Sequence, residues 1–160
     1  MHHLSLEIKY GQYPDNPASR RKKYCLAIEC AVNGNLIADW HSLSVDILAL
    51  LASAKKPGMY FIWTCTCGFP ECAGISQGIE VTHRPDVFVW KNKGSKPKVK
   101  YYEFEKNHYI QTIHQALEQY TTLAEEYLRR KENFDLALYG QDIERFLDYA
   151  RRQMLDGGGG

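Results

Sequence analysis

The chain predicts an α+β domain, a mainly antiparallel sheet of about six or seven strands carrying one short helix and a long C-terminal helical segment. Three observations predict it. Apolar residues alternate with period two as far as Phe104, the spacing changes to three and four from Asn107 onward, and Asn33-Gly34 sits between two apolar runs. Consecutive strands joined by short turns give antiparallel pairing, and a helical block after a strand block gives α+β rather than alternating βαβ units. With 160 residues the chain is long enough to bury its own core, so we expect one domain over 1–156 followed by a flexible Gly157–Gly160 tail.

Leu4, Leu6 and Ile8 alternate with Ser5, Glu7 and Lys9, which predicts a first strand over 4–10. Residues 11–23 hold Pro14, Asp15, Asn16 and Pro17 and then the run Arg20-Arg21-Lys22-Lys23, a long loop with a basic arm. Tyr24–Val32 and Asn35–Asp39 flank Asn33-Gly34 as a hairpin, with Leu26, Ile28, Cys30 and Val32 on one face and Cys25 on the other. Ser44 is the expected N-cap of a helix over 45–55, stopped by Pro57-Gly58. Met59–Thr66 reads as one strand, with Met59, Phe61, Trp63, Cys65 and Cys67 on a shared side.

A meander continues with 78–83, a turn at Arg84-Pro85-Asp86, 87–91 and 99–104. Ile110, Ile113, Leu117, Tyr120, Ala124 and Tyr127 then mark a helix over 107–131. Its stripe is expected to lie on the sheet, and could also serve as a homodimer seam. Ile143, Phe146, Leu147, Ala150 and Met154 mark a last amphipathic helix.

The segment richest in chemistry is Trp63-Thr-Cys65-Thr-Cys67-Gly68-Phe-Pro70-Glu-Cys72-Ala-Gly74-Ile75, which holds three of the five cysteines. Residues two apart on an extended chain point the same way, and Gly68 and Pro70 can bring Cys72 back toward Cys65 and Cys67. Three soft ligands on one point suit a structural Zn ion, with His83 as the nearest histidine for the fourth position. A strand over 78–83 would nevertheless carry His83 roughly 15–20 Å away. Reduced thiols in a tight turn are the competing reading.

An odd number of cysteines and a start without an apolar leader fit a reducing, cytoplasmic setting, and no apolar run is long enough to span a membrane. The net charge of +1 divides unevenly: residues 1–104 carry 13 Lys/Arg against 9 Asp/Glu, whereas residues 105–160 carry 7 against 10. Arg20, Arg21, Lys22 and Lys23, with Lys93, Lys96 and Lys98 near Trp90, Tyr101 and Tyr102, resemble a nucleic-acid surface in composition. A lysine-guarded hairpin edge has the same composition.

Around Cys65, Cys67, Gly68, Cys72, Ala73, Gly74 and Ile75, followed by Val87, Val89 and Trp90, the chain resembles small uncharacterised bacterial proteins. In them a strand ending in C-x-C-G-x3-C-A-G-I precedes a Val-rich strand pair ending in Val-x-Trp. The resemblance covers roughly 43–91 and implies a bacterial or phage setting and an α+β domain, and no activity. No Gly-rich phosphate loop precedes a helix, and no motif distinguishes one cysteine as a nucleophile, so the sequence leans away from an enzyme. A small protein-interaction or regulatory protein is the expected function, nucleic-acid binding through the basic loops the runner-up, and a Cys-dependent enzyme the third reading.

Overall fold

The computed structural model describes residues 1–12, 24–40, 42–65, 70–98, 100–132, 134–139 and 142–157. The fold is α+β, as expected. One sheet is centred on β2 (Tyr24–Val32), which pairs antiparallel along its whole length with β1 (Leu4–Gln12). On its other side β2 pairs antiparallel with β3 (Asn35–Ala38) at one end and parallel with β10 (Phe134–Leu136) at the other. The β2–β3 turn is the Asn33-Gly34 hairpin, both residues left-handed with φ of 53° and 78°. A second antiparallel sheet runs in the order β5 (Gly58–Tyr60), β7 (Ile79–His83), β8 (Val87–Asn92) and β9 (Tyr101–Glu105). Between them β4 (Ser44–Val45) pairs with β6 (Trp63–Thr64). The expected single sheet is thus several, and β10 was not foreseen.

Two expectations about the middle of the chain need correction. Ser44 is not the cap of the first helix; it is buried in β4, where its hydroxyl donates to the Trp40 carbonyl at 3.2 Å. Asp46 caps α1 (Ile47–Lys55) instead, its carboxylate accepting from the Leu48 and Ala49 amides. A carboxylate accepts these bonds and also meets the positive end of the helix dipole. Nor do residues 59–66 form one strand. β5 ends at Tyr60 and β6 holds Trp63 and Thr64, so Phe61 and Ile62 belong to neither, and the change of exposure between Phe61 and Trp63, which a regular strand would put on one side, shows that the chain twists there. Met59 and Phe61 are left exposed while Trp63 turns inward.

The spine of the fold is α2 (Lys106–Arg129), whose two halves pack on different sheets. Near its start Tyr109 lies against Phe88, Trp90 and Phe104 of the second sheet, and further on Tyr120 donates to the Leu26 carbonyl of β2 at 2.8 Å. The buried stripe begins at Tyr109 and runs through Ile113, Leu117, Tyr120 and Ala124; Ile110, expected inside, is exposed. Helices α1 and α3 (Ile143–Gly157) pack on α2 and complete one continuous core. The stripe is therefore used inside the molecule. No described helix is long and apolar enough to cross a membrane.

Glu105 caps α2 by accepting from the Asn107 and His108 amides at 2.9 and 2.7 Å, and these bonds hold its pKa below the ordinary carboxylate value. A lowered folded pKa contributes stability that is complete above the unfolded pKa and is lost as pH falls through the folded one. Melting curves from about pH 5 down to about pH 3 should therefore fall more steeply for the native chain than for Glu105→Gln, whose amide oxygen still accepts when carboxylates protonate. Parallel curves would remove the cap from the acid response.

Candidate functional site

The cysteine segment is mounted on the β6 strand. Trp63 is buried edge-on against Trp90, with ring centroids 5.3 Å apart, and this fixes the strand from which Cys65 emerges. The chain returns through a 3-10 turn, Pro70–Ala73, that holds no buried residue and presents Glu71 and Cys72 to solvent. Its exit is tightly built. The Gly74 amide donates to the Glu71 carbonyl and the Ile75 amide to the Pro70 carbonyl, both at 3.0 Å, and Gly74 has φ of +77°, which a side chain would strain. Ile75 then plugs into the core. From the opposite hairpin the Lys96 ammonium donates to the Ala73 carbonyl at 3.5 Å.

Cys65 and Cys72 are thus half-buried and exposed residues at the two ends of an outward turn, and Cys67 lies outside the described residues. Among the described residues no three His, Cys, Asp or Glu side chains converge as a metal group. His83 sits at the far end of β7, four residues or about 13 Å along the strand from Ile79, which pairs with Tyr60. Its Nε2 donates to the Ser53 carbonyl of α1 at 2.7 Å and its ring tilts over Phe88. That bond directs the imidazole to the end of α1.

The remaining thiols belong to the interior. Cys30 faces the main core, where burial pushes its pKa up to about 12 and keeps it protonated, a poor state for a nucleophile. Cys25 lies on the other face of β2 with Ala27, Trp40 and Ala137, as its alternation predicted.

Of the basic candidates, Arg20, Arg21, Lys22 and Lys23 lie outside the described residues. Lys93, Lys96 and Lys98 are exposed on the β8–β9 connection. That connection is organised by buried Asn92, whose side chain donates to the Pro97 carbonyl at 2.7 Å and accepts from the Gly94 amide at 3.0 Å. Of the aromatic residues expected beside these lysines, Trp90 is in the core, its Nε1 donating to the Tyr109 hydroxyl, and Tyr102 is half-buried. Tyr101 is exposed but hydrogen-bonded to Glu103, which also meets Arg84 at 3.0 Å.

The structure also shows a surface that the sequence reading passed over. One row across the second sheet runs Met59, Glu80, Lys91, Tyr101, and the next holds Thr82 and Glu103 on either side of Val89, which is itself fully buried. The helices pack against the opposite face, through Phe88, Trp90 and Phe104. At the edge of this face β5 pairs, among the described residues, with β7 alone; Met59 of β5 is 57% exposed and Phe61, directly after it, 42%. Their exposure follows from the twist between β5 and β6. An unbroken period-two strand would have buried one of the two sets of residues, so the pattern alone gave no sign of it. Comparison with protein-family models, with curated proteins and with solved structures finds no match to this chain.

Proposed function

We propose that the chain is a small protein-interaction or regulatory protein that accepts an extended apolar segment of a partner protein along the β5 edge. The observation that carries this reading is the exposure of Met59 on the edge strand β5 and of Phe61 directly after it. Natural sheets guard their edges with charge or proline, and a bare apolar edge is a template for strand addition. The outward rows of the same sheet, with Met59 and Tyr101 flanking Glu80 and Lys91, offer mixed charge and apolar contact for the partner's neighbouring residues.

The test uses peptides selected by display on the intact protein. They should bind the native chain, lose binding to the Met59→Lys/Phe61→Lys variant, and slow amide exchange at 58–60. Selected peptides that bind the variant equally well, or protection elsewhere only, would overturn the reading. A homodimer formed through this edge would show instead as concentration-dependent association abolished by the same variant.

In this reading the cysteine turn that follows β6 is a structural fastening. Cys65, Cys67 and Cys72 are the proposed ligands of one Zn ion, and their softness is the support for it. The bond of His83 to Ser53 favours a fourth ligand other than His83. Protein purified without chelator should carry about one zinc per chain, and Cys72→Ser should release it. Metal-free native protein would leave the turn as reduced thiols. A closed, structural site is expected, because catalytic zinc keeps a position open for water.

A further inference from the structure

We propose that two copies of this chain pair through the outer edge of β1, joining their first sheets into one antiparallel sheet across a two-fold axis at Ile8. This edge and β5 lie on different sheets. The Asn33 amide donates to the His3 carbonyl at 2.8 Å, so the odd residues of β1 exchange backbone bonds with β2. The amides and carbonyls of the even residues therefore point away from β2. At the start of the edge the Leu4 carbonyl is taken by the His108 ring at 3.0 Å. From Leu6 to Tyr10, among the described residues, β1 pairs with β2 alone and its outer side carries no strand.

The side chains register where the sheet stops. Leu6 stands opposite Cys30 and Ile8 opposite Ile28; the two β2 residues are 2% exposed, whereas Leu6 and Ile8 are only half-buried. These core rows end at β1 for want of a next strand. A strand antiparallel to β1 and centred on Ile8 would set isoleucine beside isoleucine and Leu6 beside the second copy's Tyr10, continuing both rows.

Charge selects a second copy as that strand. On the other face of β1 the side chains of Glu7 and Lys9 are 70% and 33% exposed, and the Lys9 ammonium lies 3.0 Å from Glu7 and 3.7 Å from Glu29. Two carboxylates thus share one ammonium, which has three protons to donate and can meet a third. With the axis at Ile8, Glu7 lies directly opposite the second copy's Lys9, and Lys9 opposite its Glu7, in the closer, non-hydrogen-bonded pairs. An axis at Glu7 would set two carboxylates face to face, an axis at Lys9 two ammonium groups, and parallel pairing in register like beside like. The one favourable register is the self-complementary one that a two-fold dimer requires. An edge lysine deters foreign strands; opposite Glu7 of its own kind it does not.

The test is sedimentation equilibrium of the intact protein over a concentration series. A seam from Leu6 to Tyr10 is short, so dissociation in the micromolar range is expected. Glu7→Lys and Lys9→Glu should each weaken association by about tenfold or more, because each sets like charges opposite one another twice across the axis. An equimolar mixture of the two variants should associate as the native chain does, since every lysine then faces a carboxylate. That recovery also separates a lost contact from a lost fold in either variant. Met59→Lys/Phe61→Lys should associate like the native chain. A monomer at every concentration, which would leave the edge to some other strand, overturns the proposal. So does undiminished association of the single variants, no recovery in their mixture, or association abolished in Met59→Lys/Phe61→Lys.

Discussion

Tyr109→Ala is expected to leave the chain largely unfolded, and Tyr109→Phe to lower its stability by about 1–3 kcal/mol. The phenol is fully enclosed and sits in a directed chain of hydrogen bonds. Trp90 Nε1, which can only donate, gives its proton to the Tyr109 oxygen at 3.0 Å, and the Ser53 hydroxyl gives its own to the Leu50 carbonyl at 2.6 Å. The bond of 2.7 Å between Tyr109 and Ser53 must then run from the phenol to the serine oxygen. Burial raises the phenol's pKa, so this donor persists across the neutral range. Phenylalanine fills the same space but orphans the indole N–H inside the core, and that desolvated donor is the main cost. Alanine adds the loss of a ring packed on Phe88, Trp90 and Phe104, for which about 3–5 kcal/mol is typical, and the sum approaches the whole stability of a domain this size. Urea midpoints read the effect. A Phe variant as stable as the native chain would show that the network adds nothing beyond packing.

That network illustrates what the sequence could not reveal. The helix period placed α2 correctly, but the stripe was drawn through Ile110 because isoleucine is the more apolar neighbour. The structure instead buries Tyr109, because β8 and β9 present aromatic rings over the first turn and a phenol is tolerated wherever its hydroxyl finds partners. Ser53, on an otherwise apolar helix face, was one of those partners and reads as nothing special alone. The hairpin at Asn33-Gly34 was legible because two residues with positive φ admit few alternatives. The break between β5 and β6 was not, since it depends on β4 pairing with β6 rather than on local preference. For the same reason the exposed Met59–Phe61 edge had no signature.

Asp46→Ala is expected to cost about 2–3 kcal/mol, more than an ordinary helix cap, because one carboxylate oxygen serves two distant parts of the chain. It accepts from the Leu48 and Ala49 amides at 3.1 Å, which satisfies the first turn of α1, and from the Tyr139 hydroxyl at 2.6 Å, which ties the segment entering α3 to that turn. Losing the cap accounts for about 1 kcal/mol. The rest comes from the Tyr139 hydroxyl, whose pKa is driven well above the usual phenol value by burial and by the Asp46 carboxylate. The residue as a whole is half-buried, so water can reach part of it and the orphaned hydroxyl costs nearer 1 than 3 kcal/mol. Tyr139→Phe removes the same bond but leaves the cap, so it should cost about 1 kcal/mol, and Asp46→Ala in that background should cost less than it does alone. Denaturation of the four proteins of this double-mutant cycle measures the coupling. Strict additivity would mean that the bond between Asp46 and Tyr139 contributes nothing to holding α3 in place.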